Sequence, residues 1–423
     1  MLEITRIRND FDNVVKALKK RGLSGIEKKL NDLIASDNLR KSQKTEIDKI
    51  FNESNNLSKK IGIAYKSGET GEIESLKNKS QELKEKSKKI AGSLKNTESE
   101  INEILLALPN TPDNRVPEGK SDKDNKVIHT SDSSEVNRDL KPHWDLIKEF
   151  NIIDFETGNT ITGAGFPLYT GDGAILQRAL INYFLDFARE EGYTEVQPPI
   201  LINEISALNT GNLPDKEGQM YKIENENLYL IPTAEVPVTN IYNKKIIESN
   251  LLPIKNAAYT PCFRKEAGSW GSHVRGLNRL HQFDKVEIVQ IQSKNDSEDA
   301  LNGMCDHVQK LIESLEIPFR KILLCAGDLG FTSSITYDFE VYAPGQDRWL
   351  ECSSVSNFLT YQSNRMNLKI KDGKSKELAH TLNGSALALP RILASIIENN
   401  QGENSITIPK VLHKYTGFKM ISR

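Results

Sequence analysis

The densest run of chemically capable residues in the 423-residue chain lies between Phe263 and Glu287. It begins Phe263-Arg264-Lys265-Glu266 and enters a glycine-rich stretch. It then returns through Arg275-Gly276-Leu277-Asn278-Arg279 to His281-Gln282-Phe283 and Lys285-Val286-Glu287. Arg264 and Glu266 are two residues apart, the spacing that predicts one shared strand face. Such a pair alone is an ordinary cross-strand feature. Two further arginines and an aromatic in the same hairpin change its meaning: one guanidinium can fork onto a phosphate, another can stack on a purine, and Phe283 offers a second π-face.

Other chemistries are excluded by motifs that fail. No GxxxxGK[ST] loop exists, and Gly163-Ala164-Gly165 and Gly171-Asp172-Gly173 lack the third glycine and preceding strand of a dinucleotide fold, so they read as turns. No HExxH occurs, and the seven histidines are dispersed. Asn383-Gly384-Ser385 matches a glycosylation sequon by chance, and Lys419-Met420-Ile421-Ser422 only faintly resembles a KMSKS loop. Cys262, Cys305, Cys325 and Cys352 form no CxxC pair, which suits buried thiols in a reducing compartment. The charged start MLEITRIRND does not suit a signal peptide, and no apolar run is long enough for a membrane helix, so a cytoplasmic location is expected.

The elements that must position these residues follow from composition. Lys+Arg 56 against Asp+Glu 58 gives a net charge of -2, which offers no global signal for nucleic acid. The average hides an asymmetry, because all 16 prolines lie at or beyond Pro109. The first 108 residues therefore read as helix. Ile73, Leu76, Ser80, Leu83, Ser87, Ile90, Leu94, Thr97, Ile101 and Ile104 keep a 3,4 spacing, a heptad seam. Ile26, Leu30, Leu33, Ile47, Ile50, Leu57 and Ile61 form a poorer partner stripe interrupted by Lys44 and Ser54. An antiparallel hairpin of two helices, about 27–65 and 73–108, joined through the glycines of KSGETGE, satisfies both stripes. Met1 to Gly22 reads as one short helix before it.

The expected organisation is a helical arm over 1–108 with its hairpin at about 27–103, a polar linker over 109–128, and a body over 129–423. In the body, helical stretches at Ala174 to Glu191, Ser297 to Leu315 and Ala386 to Asn400 mix with β-rich runs at Leu228 to Ile231, Val286 to Ile291, Lys321 to Leu324, Tyr337 to Tyr342 and Trp349 to Ser354. Strands follow one another rather than alternating with helices. That predicts an α+β domain on an antiparallel sheet flanked by helices.

FRKEAG with RGLNRLHQF resembles motif 2 of the class II aminoacyl-tRNA synthetases, and the remaining segments resemble the seryl-tRNA synthetase family, bacterial type. The likeness covers essentially the whole chain: LEITRIRND, VVKALKKRG, the lysine-rich hairpin, LPNTPDNRVPEGK, GYTEVQPP, IPTAEVP, ECSSVSNF and HTLNGSALALPR. It implies attachment of L-serine to serine tRNA through a seryl-adenylate, with ATP as substrate and Mg²⁺ as cofactor, in a homodimer. Selenocysteine tRNA becomes a second candidate partner.

The resemblance also implies roles. Thr233, Ala234 and Glu235 would line the serine pocket, with Glu287 and Ser385 holding the amino and hydroxyl groups. Arg264 would bridge the serine carboxylate and the α-phosphate. Glu266 would meet adenine, between Phe283 and Arg391, while Arg279 and Arg391 reach the outer phosphates. Glu351 and Ser354 would ligate magnesium, and Lys265, Cys352 and Ser353 would complete the ATP site. These roles are chemically coherent, since a carboxylate nucleophile and a pyrophosphate leaving group need cations and alignment rather than a general base. A pocket built around a hydroxyl rejects alanine strongly and threonine chiefly by size.

The arm would grip the long variable arm of the tRNA through backbone and shape, which suits a lysine-coated coiled coil without aromatic stacking platforms. From Lys77 to Lys95 seven lysines face two glutamates, a local net of +5. Lys77, Lys84, Lys88 and Lys95 are the candidate contacts.

Some positions depart from the family pattern. ECSSVSN stands where EVSSCSN is usual, TGAGF at 162–166 where SGxRF is usual, Trp270-Gly271-Ser272-His273 follows motif 2, and Pro390 precedes Arg391. Two alternatives use the same residues: a serine-activating relative that loads a carrier protein, and an RNA-binding paralogue without catalysis. The long arm argues against the first. The retained arginines and glutamates argue against the second.

Overall fold

The structure is a computed structural model that describes residues 1–67, 70–131, 140–215, 217–266 and 275–423. The chain divides into two compact units, one of residues 2–19 and 23–109, the other of Met1, 20–22 and 110–423.

The first unit is helical: α1 (Ile4–Asn9), α2 (Phe11–Lys20), α3 (Ile26–Ser67) and α4 (Thr70–Leu106). The single leading helix expected from sequence is broken at Asp10, whose backbone leaves the helical region at φ -135. The hairpin of α3 and α4 forms as expected, and Gly68 and Glu69 of the turn lie outside the described residues. Leu30 and Leu33 are completely buried, each such leucine contributing roughly 1.5–3 kcal/mol. Gln43, not Lys44, takes the interrupted seam position and donates to Ser93 Oγ at 2.8 Å, while Lys44 is exposed. At the far end Leu105 is buried in place of the expected Ile104. Asp37 is buried in the same unit and is answered by Arg8, Arg40 and Lys41.

The second unit is built on an eight-stranded sheet. Its strands are β1 (Lys126–Thr130), β2 (Thr194–Glu195), β3 (Ile254–Phe263), β4 (Gln282–Gln292), β5 (Phe319–Leu323), β6 (Ile335–Ala343), β7 (Arg348–Leu359) and β8 (His380–Ala388). The spatial order is β1-β5-β6-β7-β8-β4-β3-β2, antiparallel throughout except for the β2–β3 pair. Helices α5 (Gly171–Glu190), α6 (Ser297–Ser314) and α7 (Leu389–Asn399) pack on it, and one apolar core runs through Leu180, Phe184, Met304, Leu311, Phe339, Leu382 and Ile396. The class expected from the succession of strands is the one observed. Residues 386–388 belong to β8 rather than to the following helix, and Pro390 sits in the first turn of α7, where its missing N–H has no helical partner to lose.

Candidate active site

The site lies on the central strands β3, β4, β8 and β7. Arg264 and Glu266 fall just beyond the end of β3 rather than on it, so strand alternation does not orient them as the sequence suggested. The Arg264 N–H still pairs with His281 O at 2.9 Å, whereas Glu266 turns into the left-handed region at φ 49, its N–H held by Gln219 Oε1 at 3.1 Å. Trp270 to His273 lie outside the described residues. The return of the hairpin rests on a buried post. His143 Nδ1 donates to Glu398 at 2.7 Å, leaving Nε2 to accept from Leu277 N–H at 2.9 Å. Gly276, at φ +67, packs so closely that a Cβ would stand 2.3 Å from His143 Nε2. Gly165 likewise leaves no room for a side chain beside His281, which stacks on Phe166.

At one end of the site, side chains from four segments form a closed polar network. Glu287 is fully buried, accepts from Thr233 Oγ1 and Asn383 Nδ2, both at 2.9 Å, and pairs with Lys285. Lys285 is itself buried and donates to Thr233 Oγ1 at 2.9 Å. Glu235 accepts from Gln362 at 2.6 Å and from Asn383 at 2.9 Å. Burial, and then the neighbouring Glu287, raise the Glu235 carboxyl to about 7. Ser385 is registered directly opposite Glu287. Ala234 packs into the core with Val238, Ala258 and Val289, so only its backbone can face a ligand.

At the other end, Arg264, Glu266, Arg279, Phe283, Lys285, Glu351, Cys352, Ser353, Ser385 and Arg391 line one cavity. The Arg264 guanidinium lies 5.3 Å from the centre of the Phe283 ring. Glu266 and Arg279, which the resemblance sends to opposite ends of a nucleotide, form an ion pair with each other. Arg391 Nη1 donates to Glu351 O at 2.6 Å and approaches Glu351 Oε2 at 3.7 Å. Lys265 is not brought into this cavity; its ammonium sits over the Tyr221 ring. Cys352 is the extra residue of a bulge between Phe339 and Glu340 on β6 and its partner strand. Its Sγ donates to Phe339 O at 3.3 Å, and burial pushes the thiol well above the ordinary range. All four cysteines are buried and free.

The fit of a divalent ion can be judged from the carboxylates beside β7. Glu351 is exposed, and Ser354 stands opposite Asp338 in the register. Asp338 is buried with no partner for Oδ1, and burial, followed by the charge of Glu351, raises its carboxyl well above the usual range. Two mutually repelling carboxylates with a serine hydroxyl beside them are donors for a hard cation. The residues present therefore fit magnesium. No group of three or more His, Cys, Asp or Glu among the described residues is placed to hold a metal ion by itself.

The seryl-tRNA synthetase N-terminal domain matches residues 1–112, and the tRNA synthetase class II core domain (G, H, P, S and T) matches residues 220–400. A serine–tRNA ligase of Salinibacter ruber is 44% identical over 425 residues, covering 100% of this chain and 99% of the relative. The chain belongs to the seryl-tRNA synthetases. Its activity is thus ATP-dependent attachment of serine to tRNA, and both alternatives fall away. A serine–tRNA ligase of Aliarcobacter butzleri is 42% identical, covering 98% of this chain and 100% of the relative. The seryl-tRNA synthetase of Pyrococcus horikoshii, solved with ATP, superposes with a TM-score of 0.91 at 32% identity, covering 100% of this chain and 99% of the other. The cytoplasmic serine–tRNA ligase of Naegleria fowleri, solved with AMP, superposes at 0.87 with 25% identity, covering the same shares.

Sequence reasoning missed Lys285, Asn383, Gln362 and Asp338. Lys285 had a signal, two residues before Glu287 on the same strand face. Asn383 had one as well, two before Ser385. Gln362 and Asp338 come from other segments and are found only through pairing.

On the hairpin, Lys79 pairs with Glu53 at 3.0 Å and Lys86 with Glu46 at 2.9 Å, and Lys77 lies over the Tyr65 ring. Lys84, Lys88 and Lys95 form no ion pair among the described residues and follow seam positions 83, 87 and 94, which places them along one flank. Phe51 and Tyr65 are both more than half exposed, so the arm does carry aromatic faces, contrary to expectation. No helix among the described residues is long and apolar enough to cross a membrane.

Proposed function

We propose that the polar network at Thr233, Glu235, Lys285, Glu287 and Asn383 is the serine subsite and that the adjoining arginine-lined cavity holds ATP. The observation that carries this reading is the continuity of the two: Arg264, Lys285 and Ser385 line the cavity while Lys285 is bonded into the network. Thr233 and Glu287 present acceptors to the serine ammonium, and Glu287 with Ser385 takes the hydroxyl. Arg264, anchored by Pro232 O at 3.3 Å, spans the serine carboxylate and the α-phosphate. The carboxylate oxygen forms a bond to the α-phosphorus, the bond to the β-phosphate bridging oxygen breaks, and pyrophosphate leaves. A ribose hydroxyl of the tRNA terminus then attacks the acyl carbon, the bond from that carbon to the phosphate oxygen breaks, and AMP leaves with the hydroxyl proton on its phosphate.

The first step needs no side-chain base, because the attacking carboxylate is already ionised. Catalysis consists of alignment and preorganised positive charge, for which Arg264, Arg279 and Arg391 serve. Arg279 is free for the phosphates once Glu266 turns to adenine beside Phe283 and Arg391. Glu351 and Ser354 would hold Mg²⁺, which neutralises phosphate charge when bound. Serine tRNA, and selenocysteine tRNA as a second substrate, dock on the arm 27–103, with Lys84, Lys88 and Lys95 meeting phosphates. The exposed Ile200, Leu201, Ile205, Ile241, Ile246 and Leu251 all fall within 200–251 and support a homodimer of this body.

The test is ATP–pyrophosphate exchange with each of the twenty amino acids, followed by charging of total tRNA. Serine alone should support exchange well above background. Glu287→Ala should lower kcat/KM for serine by about 10²- to 10³-fold, and retained exchange in that variant would overturn the subsite.

A further inference from the structure

Asp338 stands apart among the buried carboxylates of the second unit. Glu287 is answered by Thr233, Lys285 and Asn383, and Glu398 by His143, Gln346 and the Gly345 N–H. Asp338 is more than nine-tenths buried, and its Oδ1 has no hydrogen-bond partner. It lies on β6 directly opposite Ser354 of β7. The other charged groups acting on it, Glu351, Asp328 and Glu340, are all acidic. Glu340 has its own cation in Arg320, and Arg391 is engaged by Glu351. A buried carboxylate oxygen in an acidic corner, with the local arginines already committed, is a strong acceptor awaiting positive charge.

We propose that Asp338 belongs to the divalent-cation site with Glu351 and Ser354, its free Oδ1 receiving the ion or one of the ion's bound waters. The inference rests on the assignment of Glu351 and Ser354 as magnesium ligands and adds a second carboxylate to them. It gives a role to an aspartate buried on the face of β6 turned away from the core residues Ile335, Phe339 and Val341, between Thr336 and Glu340. Magnesium suits such a site because it binds through one or two carboxylates together with substrate phosphates and keeps several waters. Residues that orient such waters commonly change metal affinity by about 10- to 100-fold when replaced.

The experiment titrates the full-length enzyme with Mn²⁺ in the presence of ATP and reads unbound Mn²⁺ from its electron paramagnetic resonance signal. Asp338→Asn keeps size and hydrogen-bonding capacity toward Ser354 but removes the charge. Its Mn²⁺ dissociation constant should rise about 10-fold or more, in step with Glu351→Gln, while its circular dichroism spectrum stays that of the wild type. If Glu351→Gln weakens Mn²⁺ binding and Asp338→Asn remains within about twofold of wild type, Asp338 is a structural residue and the proposal fails. If neither variant changes the affinity, the Glu351 and Ser354 assignment fails and takes this proposal with it. Should Asp338→Asn not fold, Asp338→Ser poses the same question with a smaller neutral side chain, read by the same titration.

Discussion

Lys285 is buried in an ion pair with Glu287, while Glu235 shares the Asn383 amide with that same carboxylate. The charge balance of the proposed serine subsite is therefore set by Lys285, Glu287 and Glu235, with Arg264 also acting on Glu235. Glu235 titrates at about 7 in the folded chain against 4.5 as its ordinary value, through burial and then Glu287. Folding consequently takes up a proton between these values. Its stabilising share is complete below about 4.5 and is lost as pH rises through about 7. In Glu235→Gln that loss disappears, so the melting temperature of this variant should gain on the wild type between pH 5 and pH 8. A melting-temperature difference independent of pH would show that Glu235 does not titrate there. An incoming serine ammonium favours the ionised carboxylate, so KM for serine should rise as pH falls from 8 to 6 and this slope should flatten in Glu235→Gln. Lys285→Met would leave Glu287 buried without its cation, a loss of about 3–5 kcal/mol in comparable buried pairs. Lower thermal stability together with a raised KM for serine is the expected result.

At the scale of elements, the motif 2 hairpin is held by the His143–Glu398 post and by the close approach of Gly276. Gly276→Ala combines a positive φ with a Cβ 2.3 Å from an imidazole nitrogen. It should destabilise by about 1–3 kcal/mol and displace Arg279, three residues on, measurable as a lower melting temperature and a raised KM for ATP. The arm acts at a different step. Deleting residues 27–103 should leave serine-dependent pyrophosphate exchange intact and abolish tRNA charging, and equal loss of both would refute the division of labour. Single replacement of Lys84, Lys88 or Lys95 by Ser should weaken tRNA binding and lower its salt slope by about one. Replacing Lys79 or Lys86 should do less, since their ammonium groups already pair with Glu53 and Glu46.

For the molecule as a whole, membership in the seryl-tRNA synthetases rests on resemblance along the entire chain, not on any one motif. The near-neutral charge of -2 averages a lysine-faced arm with a body that offsets it. Separate sedimentation of the intact chain should give twice the chain mass of 47.6 kDa if the exposed apolar residues at 200–251 are covered by a second copy. A monomer at micromolar concentration would exclude that assembly.

By itself the sequence determined the helical arm, the mixed body and the order of its expected runs, because those depend on local period and composition, whereas strands β1, β3 and β8 and the helix break at Asp10 were not legible there. The heptad spacing of α4, the absence of proline before Pro109 and the succession of β-rich runs each act over a few turns or residues, so they survive reading in one dimension. Arg264, Glu287 and Arg391 were likewise visible, since their motifs are contiguous. Only the tertiary structure decided what each charge meets. Lys285 with Glu287, Asn383 between two carboxylates, Glu266 with Arg279, and the unanswered oxygen of Asp338 are products of cross-strand register, a bulge at Cys352 and burial. Asn383 reaches carboxylates 96 and 148 positions away, and even between near neighbours such as Lys285 and Glu287 no local pattern encodes the desolvation that gives the contact its strength.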